Sequence, residues 1–141
     1  MTDENQDWHA ALHHELELLR NSLELAQAKT QLLMRHDLAG LEASLVREAE
    51  MIEQLGEAQQ RRERTRPRCG QEVSAEGASL AAEMSAVARE IQLANKTNVR
   101  LIQNGQRFCE VLYEIICPVQ TYSPSMDVIS REVESRLQVQ Y

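Results

Sequence analysis

The sequence is poor in the residues that interrupt helices. Its 141 residues include 5 glycines and 3 prolines, and aromatic residues make up only 4%. A β-sandwich or barrel would show β-branched and aromatic alternation broken by frequent turns, and no such pattern extends beyond a few residues. Leucine, alanine, glutamate, glutamine and arginine recur instead, and these residues favour helices. The composition predicts an all-α protein of one domain.

Cysteines and long apolar runs are also scarce. The three cysteines, Cys69, Cys109 and Cys117, are odd in number and lack CxxC spacing, so we expect reduced thiols rather than disulfides or a zinc site. Cys109 and Cys117 lie on or beside an apolar helix face, and we expect them to be small core residues. No stretch approaches the roughly 18 apolar residues of a membrane span, and the acidic start does not resemble a signal peptide. We therefore expect a cytoplasmic protein without a membrane span.

Basic charge is scarce over most of the chain. The net charge is -7, and residues 1–60 carry 4 basic against 12 acidic side chains. Phosphate backbones and anionic lipids repel such a chain. A local exception is the arginine cluster, which consists of Arg61, Arg62, Arg64, Arg66 and Arg68. Cations are favoured at a helix C-terminus and no aromatic is interleaved for base stacking, so we interpret the cluster as a solvated helix end and expect no nucleic-acid partner. An acidic protein partner or nucleic acid is the alternative.

Catalytic motifs are absent from the sequence. It contains no GxSxG motif and no P-loop, so we predict neither an enzyme nor a cofactor. His9, His13 and Glu17 stand one turn apart and could hold a metal ion, but no further strong ligand accompanies them. We interpret them as surface residues with no metal, and we expect Trp8 to staple the start of the helix.

Apolar residues recur at helical spacing in the first half of the chain. One seam, with steps of four and three, predicts a helix over about 6–36: Leu12, Leu16, Leu19, Leu23 and Ala26. A second seam in a new phase predicts a helix over about 37–64: Leu38, Leu41, Leu45, Ile52 and Leu55. Asp37 is a good N-cap residue and Gly40 weakens the helix nearby, which favours a turn. One continuous helix with a phase slip is the alternative.

The longest heptad pattern follows a loop over Thr65–Gly77. Its steps, counted with Ala94 and Gly105, alternate four and three without exception and predict a helix over about 76–117. The predicted seam and core residues are Leu80, Met84, Val87, Ile91, Asn98, Leu101, Phe108, Leu112 and Ile115. A flanking apolar row predicts contact with more than one neighbour. Asn98 is polar within the seam, which indicates fixed register or a contact with a partner's backbone. This helix is longer than its neighbours, so the tail or another chain's helix would cover the excess.

The last residues carry a shorter pattern. Pro118 ends the third helix, and Met126, Ile129, Val133 and Leu137 then predict a short amphipathic helix. We therefore predict an elongated antiparallel bundle of three long helices over 1–122 and a C-terminal tail over 123–141. Tyr122 lies between polar residues beyond the proline, so it is either a docking anchor or a loop residue folded back on the bundle.

Three segments resemble the FlgN family of flagellar export chaperones. LELLRNSLELAQAKTQLLMRHDLAGLEASLVREAEMIEQLGEAQQRR looks like the first two helices of that family. LANKTNVRLIQNGQRFCEVLYEI is similar to its third helix, with paired asparagines Asn95 and Asn98, and PVQTYSP is similar to the tyrosine-bearing stretch that follows. Together the segments cover about Leu12 to Tyr122. The sequence departs from the family in lacking a glycine a few residues after Tyr122.

The resemblance implies a cytosolic chaperone for the hook-filament junction proteins. Such a chaperone holds these proteins unassembled and delivers them to the flagellar export gate. By position, Tyr122 would contact the cytoplasmic domain of the gate, and Met126, Ile129, Val133 and Leu137 would contact the terminal helices of the substrate. A structural coiled-coil adaptor or oligomerisation subunit is the alternative function, and a weak homodimer stays open.

Overall fold

The computed structural model of the protein describes residues 2–68 and 73–117, and these form three α-helices. They are α1 (Thr2–Met34), α2 (Leu38–Thr65) and α3 (Ala75–Ile116), with 33, 28 and 42 residues. The prediction of an all-helical fold is confirmed, and no strand occurs in the two described ranges. Contacts divide the chain into two compact units, Met1–Asn98 and Val99–Tyr141.

Helix α1 begins four residues before its predicted start. Asp3 and Glu4 lie in its first turn, where carboxylates stabilise the unpaired amides and positive end of the helix dipole. The apolar pattern does not reach this turn, so periodicity alone placed the start too late. Trp8 is therefore an interior residue of α1 rather than a staple at its start.

A tight turn separates α1 from α2. The backbone N–H of Asp37 donates to the carbonyl of Leu32 at 3.0 Å, and that of His36 donates to Leu33 at 3.3 Å, which is the Schellman pattern of a helix end. His36 accordingly adopts the left-handed conformation, with φ of 55°. Asp37 then caps α2, because its Oδ1 accepts the backbone N–H of Gly40 at 3.0 Å. The prediction of two helices with Asp37 as N-cap is confirmed.

Side-chain contacts give the directions of the helices within residues 2–98. Lys29 Nζ lies 2.8 Å from Glu48 Oε2, and Arg62 Nε lies 3.3 Å from Glu15 Oε2, so α2 runs antiparallel to α1. His9 contacts Ser74, and the backbone of Ala26 contacts Asn98. The described part of α3 up to Asn98 therefore runs in the same direction as α1.

The hydrophobic core of this unit lies between α1 and α3. Trp8, Leu12 and Leu16 of α1 pack against Leu80 and Met84 of α3, and all five side chains are buried. Leu19 and Val87 extend the cluster along the two helices. Burial of side chains of this size is worth roughly 1.5–3 kcal/mol each, so this cluster makes a substantial apolar contribution to stability.

Helix α2 contributes small residues to the interior. Its buried residues are Ser44 and Ala58, whereas three residues of its predicted seam, Leu38, Leu45 and Ile52, are exposed. The remaining two seam residues, Leu41 and Leu55, are half-buried. Small side chains let two helices approach closely, and the interior side of α2 combines such residues with half-buried leucines.

Candidate binding surfaces

The α1–α3 contact begins at the first turn of α3. A Cβ atom added at Gly77 would lie 2.5 Å from Cζ3 of Trp8, so glycine is what allows the indole to lie against this turn. Ser74 caps the helix, because its Oγ accepts the backbone N–H of Gly77 at 3.1 Å. The same Oγ lies 2.7 Å from Nε2 of His9. Helix α1 is therefore fixed against the N-terminus of α3.

The histidine pair of α1 faces an acidic residue of α3. Nδ1 of His9 lies 3.8 Å from Glu76 Oε2, and Nε2 of His13 lies 3.6 Å from Glu76 Oε1. Glu17, which follows His9 and His13 at the same spacing in the sequence, takes no part in these contacts. In the part of the chain that the structure describes, no group of three metal-ligating side chains could hold an ion. The pair acts as a polar contact between helices.

Asn98 is the polar residue of the α3 seam and is 2% exposed. Its Nδ2 donates to the backbone carbonyl of Ala26 at 3.0 Å, and its Oδ1 accepts from the hydroxyl of Thr30. Both polar groups of the amide are therefore bonded to α1. A buried amide that loses such partners is left unsatisfied, so one register of α3 on α1 is favoured over its neighbours. The alternative for Asn98 was a contact with the backbone of a partner. In the structure, Asn98 makes a backbone contact with α1 of its own chain.

A groove in the first unit contains a buried carboxylate that the sequence analysis did not single out. Glu15 is 2% exposed, and burial raises its pKa, while the guanidinium of Arg62 lowers it and Glu63 raises it further. The groove holds about 480 Å³ and is lined by side chains of all three helices, among them Trp8, Leu12, Glu15, Leu19, Arg62 and Met84. The signal for Glu15 was present in the sequence. Trp8, Leu12, Glu15 and Leu19 follow steps of four, three and four, so Glu15 is a polar residue within an apolar row.

The arginine cluster has one member with an interior partner. Arg62 pairs with Glu15, and its Nη2 also lies 3.8 Å from Glu63 Oε1. The other members, Arg61, Arg64, Arg66 and Arg68, are exposed at and beyond the end of α2. Their placement agrees with a solvated helix end, and Arg62 has the additional task of balancing a buried charge.

The described part of the second unit, residues 99–117, is largely an exposed helical surface. Its exposed apolar side chains are Val99, Ile102, Phe108, Val111, Ile115 and Ile116. Leu101 and Leu112 of the seam are half-buried, whereas Phe108 and Ile115 are 63% and 68% exposed. Cys109 and Cys117 are also exposed free thiols, so the expectation that they are core residues is wrong. The seam therefore changes from buried at Leu80 to exposed at Ile115.

Two groups of predicted contact residues cannot be placed on this surface. Tyr122, the expected gate contact, lies outside the described residues. The expected substrate contacts, Met126, Ile129, Val133 and Leu137, lie outside them as well. Their roles stay predictions, and so does the division of the chain into a bundle over 1–122 and a tail over 123–141.

A comparison with protein families shows the family to which this chain belongs. The family model described as FlgN protein matches residues 1–123. The chain belongs to the FlgN family. FlgN proteins are chaperones of flagellar assembly rather than enzymes, so membership supports a chaperone role in flagellar assembly and flagellar proteins as partners. No curated protein and no solved structure matches the chain. None of the described helices is long and apolar enough to cross a membrane.

Proposed function

We propose that this FlgN protein is a cytoplasmic export chaperone for the hook-filament junction proteins. It binds a terminal helical region of a junction protein, keeps that protein from assembling too early and delivers it to the flagellar export gate. Family membership over residues 1–123 is the observation that carries the proposal. No step in this function requires bond chemistry, and it needs no cofactor.

The exposed apolar face of α3 gives the proposal a physical mechanism. A junction protein that polymerises through its terminal helices must present an apolar stripe, and a second apolar stripe can cover it. Phe108, Val111, Ile115 and Ile116 offer such a surface at the end of α3. The chain continues from there to Tyr122 and to the tail residues Met126, Ile129, Val133 and Leu137. In this proposal the tail residues bind the substrate and Tyr122 binds the cytoplasmic domain of the gate.

The substrate part of the proposal is tested by calorimetry with a purified junction protein. We expect deletion of residues 123–141 to abolish binding. A full-length variant with Val133→Gln and Leu137→Gln should weaken binding by about tenfold or more, because two apolar contacts are lost. A matched control changes Gln138→Ala and Gln140→Ala in the same tail and should bind normally. Unchanged affinity of both the truncated and the Val133→Gln/Leu137→Gln proteins would show that the tail is not the substrate contact.

The gate part needs a separate variant. Tyr122→Ala should leave binding of the junction protein intact and impair its export, because the tyrosine acts after the substrate is bound. Tyr113→Ala is a suitable control, since Tyr113 is an exposed aromatic residue of α3. Normal export with Tyr122→Ala would contradict the assignment of Tyr122.

A structural coiled-coil adaptor is the second candidate, and the same exposed face of α3 favours it. Such a subunit would use Phe108 and Ile115 to form a permanent oligomer. Light scattering separates the two functions. A monomer or weak dimer that binds a junction protein with 1:1 stoichiometry supports the chaperone, whereas a stable oligomer that ignores junction proteins supports the adaptor.

A further inference from the structure

An apolar stripe runs along the outer surface of α2. We name it the α2 stripe and define it by Leu38, Leu45 and Ile52, which are 75%, 54% and 66% exposed. Their spacing of seven residues places them on one line along the helix, over roughly 21 Å. Val46, 62% exposed, widens the stripe beside Leu45. Three large apolar side chains aligned in water are typical of a surface that binds another helix.

The residues beside the α2 stripe are acidic on one side. Glu42 lies between Leu38 and Leu45, Glu53 follows Ile52, and both are exposed. Glu50 and Glu57, also exposed, continue this acidic border further around the helix. Arg47 is the one basic residue of α2 before its terminal arginines, and it lies roughly 160° around the helix from the stripe.

The other side of the stripe is closed by α1. Glu48 lies on that side, and its carboxylate accepts a hydrogen bond from Nζ of Lys29 at 2.8 Å. The charge of Glu48 is therefore balanced within the chain, while no described ion pair involves Glu42 or Glu53. The open border of the stripe carries negative charge that a partner can complement.

We propose that the α2 stripe binds an amphipathic helix with basic flanks from another protein. The partner's apolar residues would pack on Leu38, Leu45 and Ile52, and its lysines or arginines would pair with Glu42 and Glu53. A second copy of this chain is a poor occupant, because it would bring one acidic border close to another. This surface lies in the first unit and is distinct from the segment that the proposed function assigns to the substrate and the gate.

The experiment measures binding of a synthetic helical peptide to the full chain by fluorescence anisotropy. The peptide has about three heptads, with leucine on one line and lysine on both flanks, and a matched peptide carries glutamate in place of lysine. We expect the lysine peptide to bind, with an affinity that falls as salt rises, and the glutamate peptide to bind at least about tenfold more weakly.

Variants of the chain locate the contact. Leu45→Gln with Ile52→Gln should weaken binding by about tenfold or more, because the apolar contact is lost while glutamine still favours a helix. Leu93→Gln is the matched control, since Leu93 is 64% exposed on α3, and it should bind normally. Glu42→Gln with Glu53→Gln should weaken binding by about threefold to tenfold, and Glu17→Gln with Glu24→Gln should not.

Other outcomes would overturn the proposal. Equal binding of the lysine peptide to the wild type and to the Leu45→Gln/Ile52→Gln protein would exclude the stripe. A wild-type dimer in sedimentation that dissociates in the same variant would assign the stripe to a second copy. If the Val133→Gln/Leu137→Gln protein bound the lysine peptide about tenfold more tightly than wild type, the chain's own tail would be the occupant of the α2 stripe.

Discussion

The two halves of α3 share one heptad pattern but differ in their surroundings. From Ala75 to Asn98 the seam contains buried Leu80 and Met84, and its polar residue is bonded to α1. From Val99 to Ile116 the same spacing presents exposed Phe108 and Ile115. A heptad pattern therefore predicts which face of a helix is apolar, whereas burial depends on which neighbour lies against that face.

The largest expected difference between the two halves of α3 is the loss of stability when a leucine or isoleucine is shortened to alanine. Leu80→Ala should lower the free energy of unfolding by about 2–5 kcal/mol, because Leu80 belongs to the buried cluster. Ile115→Ala removes a similar side chain from the exposed half and should change stability by less than about 0.5 kcal/mol. Urea denaturation followed by circular dichroism measures both. Equal losses would mean that Ile115 is as well packed as Leu80.

A smaller effect is expected from the polar residue of the seam. Asn98→Ala removes the bonds to Ala26 and Thr30 and should cost about 1–3 kcal/mol. Asn104→Ala, an exposed asparagine in the second half of α3, is the control and should be within about 0.5 kcal/mol of wild type. The same denaturation experiment applies. If Asn98→Ala were as stable as the control, the amide would not contribute to the α1–α3 register.

The smallest expected effect is a change in stability with pH that depends on the buried carboxyl group of Glu15. Burial raises the pKa of Glu15 above its ordinary value of 4.5. As the pH rises above 4.5, Glu15 loses its proton in the unfolded chain before it does so in the folded protein. The folded protein therefore loses stability with rising pH until the raised pKa of Glu15 is passed.

Glu15→Gln abolishes this titration. Its stability relative to wild type should therefore increase as the pH rises above about 4.5. Thermal unfolding of wild type and Glu15→Gln from pH 4 to pH 7 measures the difference. A constant difference for Glu15→Gln would show that the pKa of Glu15 is not raised in the folded protein.

The helices themselves were largely predictable from the sequence. The predicted bounds 6–36, 37–64 and 76–117 differ from the observed ones by four residues or fewer. The heptad spacing, the capping residue Asp37 and the loop over Thr65–Gly77 depend on local chemistry, which is why one sequence suffices. The early start of α1 was missed because its first turn is stabilised by acidic residues rather than by an apolar face.

Contacts between helices were less predictable. Asn98 was recognised as a polar seam residue, but its partners Ala26 and Thr30 depend on the register of two helices, which a single periodic pattern does not contain. For the same reason the seam of α2 did not show which of its residues are buried, since Ser44 and Ala58 are buried whereas Leu38 and Ile52 are exposed. An apolar line on a helix therefore need not coincide with the side that faces its own bundle.

The close approach of Trp8 to Gly77 gives this protein a built-in optical reporter. Trp8 is the only tryptophan in the sequence, and its indole lies buried against the first turn of α3. Its fluorescence therefore depends on whether α1 and α3 are docked at that end. Separation of the two helices would expose the indole to water and shift its emission to longer wavelength. The docking of α1 on α3 can thus be followed in real time without any added label.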